Sequence, residues 1–224
     1  MNTGILLQGP VTDWTSDIIK TYSTNFPNSE ILLSTWDDEN TKDISCNIVK
    51  TSIPKETHPF KLNANLQKKG TLIGLENMNC DIILKCRTDQ YIQNQKIFEL
   101  YNSFCTPEKI MIPNYFTFKD HDYYASDICQ LATKNLLFEY WNSIPLYDGS
   151  VPINHVEVYL TANYILRAKH DLSSWENCIE KYFCVKNFLK DFMIRWEKLE
   201  KFKEYQIGFN DWYPLCVDTQ PKYN

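Results

Sequence analysis

Three short polar clusters in the first ninety residues carry side chains that could handle a charged ligand. They are Gln8-Gly9-Pro10, the run Thr35 to Glu39 (TWDDE) and Arg87-Thr88-Asp89. A glycine at such a place lets backbone come close to a ligand. Carboxylates such as Asp37, Asp38 and Asp89 can hold a divalent ion or accept hydrogen bonds from ribose hydroxyls. An arginine such as Arg87 can neutralise phosphate oxygens. Taken singly, each cluster also reads as a solvated loop, TWDDE most of all. Their meaning depends on whether the fold brings them to one edge.

The elements around them suggest that it does. Residues 5–8 form a short apolar run closed by Gly9-Pro10, which reads as a buried strand. Residues 16–26 carry Ile18, Ile19, Tyr22 and Phe26 at helical spacing and stop at Pro27. Strands are expected at 30–36, 47–53 and 81–85, with a helix over 62–78 between the last two, although Gly70 and Gly74 interrupt it. Strands alternating with helices imply an α/β fold with a mainly parallel central sheet flanked by helices. In such sheets ligands bind beyond the carboxyl ends of the strands, and all three clusters fall there. The second half reads differently. Helices are expected at 97–104, 136–141 and 156–168, and short strands at 109–112, 126–132 and 205–209. A long charged and aromatic stretch over 174–202 is expected to hold one or two helices. With no internal repeat or low-complexity linker, the chain reads as a single domain over 1–224. Residues 1–92 are its ligand-binding half, and 93–224 complete the site with a helical C-terminal part.

Composition narrows the function classes. The 224 residues carry 23 basic and 28 acidic side chains, a net charge of −5 without a long Lys/Arg block, so nucleic acid is not an expected partner. No stretch reaches the about 18 apolar residues needed to span a bilayer. The N-terminal apolar run lacks the basic flank and length of a signal peptide. The eight cysteines form no CxxC pair and no zinc-finger spacing, and most of them read as buried thiols in a reducing compartment. GxGxxG, GxxxxGK[ST], GxSxG and HExxH are absent, which leaves dinucleotide, P-loop, α/β-hydrolase and zincin readings unsupported.

The segments ILLQGPV, FPNSEILLSTW and GLENMNCDIILKCRTDQYI, in that order, resemble the WavE family of lipopolysaccharide-synthesis proteins. The resemblance covers residues 4–92 and continues more weakly through Ala125-Ser126-Asp127 and His155 to Leu160. It implies a GT-A-like (Rossmann-like) glycosyltransferase that moves a sugar from a nucleotide-sugar donor to a glycan or lipid-linked acceptor. The implied setting is surface-polysaccharide or viral glycan synthesis. The implied location is the cytoplasm, including its membrane face, or the host cytoplasm for a viral member.

By the same resemblance, Arg87-Thr88-Asp89 stands where many GT-A enzymes carry Asp-x-Asp, so Asp89 is the implied ligand of Mn²⁺ or Mg²⁺. Arg87 takes the place of the first acid. Backbone at Gln8, Gly9 and Pro10, with Thr35, would line the nucleoside pocket, and Asp37 or Asp38 would lie near base and ribose. Asn65 and Lys69 would face the diphosphate, and Leu66 stands where the family often has arginine. Glu157, at the start of an apolar helix, and Asp127 are the candidate general bases. Glu157 also reads as a first-turn acid complementing the helix dipole. His155 is a candidate metal ligand or acceptor contact. The loop around His121 and Asp122 is a candidate acceptor subsite. Residues 187–203 read either as a helix lying on a membrane surface or as a solvated helix packed on the domain. Rival readings are a sugar nucleotidyltransferase, which usually has a glycine- and Lys/Arg-rich first loop, and a non-catalytic nucleotide- or glycan-binding module.

Overall fold

The computed structural model describes residues 1–54, 63–150 and 154–219. Its centre is a seven-stranded sheet in the order β3-β2-β1-β4-β7-β6-β8. The strands are β1 (Thr3–Gln8), β2 (Glu30–Trp36), β3 (Asn47–Thr51), β4 (Ile82–Arg87), β6 (Ile110–Pro113), β7 (Cys129–Thr133) and β8 (Phe183–Lys186). β3, β2, β1 and β4 are parallel to one another, β7 runs antiparallel to both β4 and β6, and β6 is parallel to β8. Strands from both halves of the sequence therefore share one sheet. A second, two-stranded sheet pairs β5 (Gln90–Ile92) with β9 (Ile194–Trp196).

The central strands are apolar on both faces because both faces are covered. Ile5, Leu7, Ile31, Leu33 and Leu84 pack with Ile18, Ile19 and Tyr22 of α1 (Thr15–Asn25) and with Ile97 of α3 (Ile97–Phe104). Leu6, Leu32 and Ile83 face the other way. They pack with Leu75 of α2 (Ala64–Glu76), Leu136, Tyr140 and Trp141 of α4 (Lys134–Ser143), Leu160 of α5 (Val156–Ala162) and Cys178 of α6 (Trp175–Tyr182). Alternation along each strand sends successive residues to opposite layers. α5 continues as a π-helical segment over Asn163–Ala168.

The two glycines inside α2 let that helix lie close on β1. A Cβ at Gly74 would collide with Leu6, and one at Gly70 would come within 2.9 Å of the Gln8 amide. The residues that weaken α2 as a sequence pattern are thus what seats it above the end of β1. Gly74→Ala is expected to lower stability by about 1–3 kcal/mol through overpacking, read as a drop in urea midpoint. An unchanged midpoint would show that Leu6 can move aside.

The second half departs from expectation in two places. Residues 205–209 lie in a helix, α8 (Lys203–Trp212), none of whose residues is fully buried, with Phe209 packed against the core. Residues 187–203 are not one helix. They fold as a π-helical turn (Phe188–Phe192), β9, and the short α7 (Glu197–Lys201). Phe188, Phe192 and Trp196 are buried in the core and do not form an apolar face for a membrane. No helix among the described residues is long and apolar enough to cross a membrane. The eight cysteines are free thiols, four buried and four partly exposed.

Candidate active site at the strand ends

Register aligns the site. Gln8 pairs with Ser34 on one side and Arg87 on the other, so the ends of β1, β2 and β4 lie in one row. Beyond Gln8 the chain must turn sharply. Gly9 does so with φ +137°, a conformation L side chains rarely adopt, and its N–H donates to the Ser34 carbonyl at 3.1 Å. Thr88 donates its hydroxyl to the Pro10 carbonyl at 2.6 Å, and Thr15 donates to the Thr88 carbonyl at 3.2 Å. These bonds tie the turn after β1 to the turn after β4 and fix both rims of a pocket.

Arg87 and Asp89 form a bidentate pair, Nε to Oδ1 at 2.8 Å and Nη2 to Oδ2 at 3.0 Å. The β5–β9 sheet sets Trp196 beside them. The indole Nε1 donates to Asp89 Oδ2 at 3.1 Å, and the Glu197 N–H donates to the Asp89 carbonyl at 3.0 Å. Burial alone would raise the Asp89 carboxyl, but the hydrogen bonds and charge of Arg87, with Trp196, hold it below the usual carboxylate range. Trp196 also presents its ring to the Arg87 guanidinium at 5.6 Å and to Lys198 Nζ at 5.9 Å. Lys198 enters the site through this turn. At 109 residues' separation from Asp89, no local sequence pattern pointed to it.

A cavity of about 290 Å³ opens here, lined by Gln8, Gly9, Pro10, Thr12, Trp36, Asn63, Leu66, Gln67, Arg87, Thr88, Asp89 and Lys198. A second, of about 390 Å³, shares Asn63, Gln67, Arg87 and Lys198 with the first and adds Asp127 and Glu157. The two make one cleft with Arg87 and Lys198 at the junction.

Asp127 is buried just before β7 and is held rigidly. Its Oδ2 accepts from Gln67 Nε2 at 2.6 Å, and its carbonyl accepts from Lys85 Nζ at 2.9 Å. Lys85 is fully buried on β4, 4.8 Å from the Trp141 ring centre. Desolvation lowers its pKa to about 8, with Asp127 opposing that shift. Glu157 sits in the first turn of α5. Burial, then the charge of Asp127, pushes its carboxyl up to about 8, and Arg87 pulls the other way. Two carboxyls are therefore placed near one cation, one fixed by hydrogen bonds and one poised to exchange a proton near neutral pH. His155, next to Glu157, meets the Tyr124 hydroxyl at 3.1 Å through Nδ1.

Five expected site residues are placed elsewhere. Asp37 and Asp38 are exposed beyond Trp36, which itself forms the pocket wall. Asn65 is buried, and its amide is spent on residue 147, donating to the Tyr147 carbonyl and accepting from its N–H. Lys69 reaches the end of β3, bonding the Ser52 carbonyl at 2.7 Å. These positions lie on the outer or under side of their elements, and Asn63 and Gln67 of the same segment line the cleft instead. Thr35 is buried inside β2 with its hydroxyl unpartnered and does not line the pocket.

The donor set at Asp89 does not fit a divalent cation. Both of its oxygens are taken by Arg87 and Trp196, and a metal would have to displace a guanidinium. No group of three or more His, Cys, Asp or Glu side chains among the described residues is placed to hold a metal. His155 stands alone in this respect, its Nδ1 engaged with Tyr124.

Residues 4–154 match the model for WavE lipopolysaccharide synthesis. The chain belongs to that family. No curated protein matches it at a significant level. Among solved structures this WavE protein is similar to 4-diphosphocytidyl-2C-methyl-D-erythritolsynthase from Anaerococcus prevotii. The TM-score is 0.51 at 12% identity, over 95% of this chain and 96% of that one. It is also similar, at TM-score 0.49 and 11% identity, to a glycosyltransferase involved in glycosylation of the major capsid of PBCV-1, over 84% and 83% of the chains. The architecture of this WavE protein is the GT-A-like α/β fold, a mostly parallel seven-stranded sheet flanked by helices.

Proposed function

We propose that this WavE protein is a glycosyltransferase that takes a sugar from a nucleotide-sugar and places it on a hydroxyl of a surface glycan or glycoconjugate. The observation that carries this reading is the continuous cleft. Arg87 and Lys198 stand between a nucleoside-sized pocket and the Asp127–Glu157 pair. The Gly9 turn lets the nucleotide backbone approach, and the Trp36 ring forms one wall for the base. When the bond from the anomeric carbon to the phosphate breaks, negative charge grows on the phosphate oxygens, and Arg87 and Lys198 stabilise it. Glu157 takes the proton of the acceptor hydroxyl, and Asp127 keeps it basic enough to do so. Because the donor set at Asp89 does not suit Mn²⁺ or Mg²⁺, the cationic side chains carry the neutralisation.

The nucleotidyltransferase alternative shares the fold, but the turn after β1, Gly9 to Trp14, contains no lysine or arginine to hold a triphosphate. A non-catalytic module would need neither the Glu157 carboxyl nor the Asp127 carboxyl beside Arg87 in the cleft.

A panel of UDP-, GDP-, CMP- and dTDP-sugars tests the reading by melting temperature, since ligand that binds only the folded state raises it. One nucleotide class is expected to raise the melting temperature equally with Mn²⁺ or with chelator. A shift that appears only with Mn²⁺ would contradict the ion-pair account of Asp89. No shift at all would contradict donor binding.

A further inference from the structure

A third cavity, of about 570 Å³, continues the cleft on the far side of Glu157 and shares Tyr124, His155 and Trp212 with the pocket that holds it. That volume is in the range of small-molecule sites, about 300–1,000 Å³. Its walls are aromatic. Tyr124 comes from the loop before β7, Tyr159 from α5 and Trp212 from α8. The loop is held in an uncommon backbone state, with φ 60° at Tyr123 and 64° at Phe116. That conformation stacks the Tyr124 and Phe116 rings at 3° between planes and brings the Tyr124 hydroxyl to His155. Strain of this kind persists where surrounding structure over-determines it, and it clusters at ligand sites. α5 runs on into the π-helical segment, a feature frequent at functional sites, which carries Asn163 and Arg167 into the lining. Arg167 is exposed and forms no salt bridge with another described residue. Asp122 is the single carboxylate among the described residues of the lining.

We infer that this trough is the acceptor subsite and takes an oligosaccharide bearing an anionic substituent, with Arg167 holding the anion. The inference rests on the glycosyltransferase reading, because it places the acceptor hydroxyl beside Glu157. Aromatic faces cover the apolar faces of sugar rings, Asn163 and Asp122 suit hydroxyls, and a guanidinium pairs with carboxylate or phosphate oxygens.

The test uses lipid-free core oligosaccharide from bacterial lipopolysaccharide in native, dephosphorylated and carboxyl-reduced forms, titrated calorimetrically into the full chain. The nucleotide-sugar panel is run alongside. The native form is expected to bind about tenfold tighter than the form lacking both anions, as one charge-assisted pair provides. The singly treated forms tell phosphate from carboxylate. Arg167→Gln should erase that difference with nucleotide-sugar binding unchanged, and Trp212→Ala should weaken all forms. Both side chains are exposed or partly so, and α8 buries no residue, so neither change threatens the fold. Oligosaccharide binding that ignores both substitutions, or no oligosaccharide binding while a nucleotide-sugar binds, would overturn the inference alone. Failure of every nucleotide-sugar to bind would overturn the glycosyltransferase reading beneath it.

Discussion

Glu157→Gln leaves nucleotide-sugar binding unchanged and lowers sugar transfer by about 10²–10⁴-fold, the usual contribution of a positioned general base. The amide nearly matches the carboxylate in size and cannot accept the proton. The parent pH profile should also carry the mark of Glu157. Its carboxyl is raised to about 8, so the base is mostly protonated at neutral pH and transfer rises as pH climbs toward and past that value. The groups facing it are Asp127, which raises it, and Arg87, which lowers it, with Lys198 and His155 also in the cavity wall. The same shift has a stability consequence. A carboxyl whose folded pKa lies above its unfolded value is least costly while protonated in both states, below about 4.5. Its contribution is lost as pH rises from there through about 8. The glutamine variant should therefore lose less stability than the parent between pH 5 and 8. Transfer at near-parent rate in Glu157→Gln would move the base to Asp127. That residue is the less apt candidate, because its Oδ2 already accepts from Gln67.

Arg87→Gln is the second large effect. Removing one preorganised donor from a developing oxyanion costs about 10²–10³-fold in turnover, and here donor affinity falls too, because the guanidinium borders the nucleotide pocket. The substitution also strands Asp89, 5% exposed, without its partner. Breaking a buried pair on one side costs about 3–5 kcal/mol, so this variant melts early. The double variant Arg87→Gln/Asp89→Asn removes the stranded charge and separates folding from function. It should regain most of the melting temperature and none of the turnover. Activity in the double variant close to the parent's would show that Lys198 alone neutralises the phosphate.

The sheet was legible where residues are apolar without interruption, as in Ile5 to Leu7 and Ile31 to Leu33, because a strand covered on both faces needs no polar alternation. The placing of Gln8, Gly9 and Arg87 at one edge followed from that. Trp196 and Lys198 were not legible, since the β5–β9 pairing that brings them to Asp89 joins positions 107 residues apart for the Trp196 bond. Asp37 and Asp38 misled because an acid after a strand reads as a ligand contact, while the preceding Trp36 takes the wall and leaves the acids in solvent. Asn65 and Gln67 lie two apart on α2, and only the helix's seat on β1, set by Gly70 and Gly74, decides which of them meets the cleft. Lys85 looked like the polar end of a strand, yet β4 runs two residues further and buries it beneath Asp127.

The central claim is that nucleotide-sugar chemistry runs in the cleft joined by Arg87. The most direct measurement is nucleotide release by the purified chain from each sugar donor in chelator, with and without core oligosaccharide, beside an arm of nucleoside triphosphate plus sugar 1-phosphate. The account predicts release from one donor class, stimulated by oligosaccharide and abolished by Arg87→Gln/Asp89→Asn. Pyrophosphate release in the triphosphate arm, with every nucleotide-sugar left intact, would contradict it.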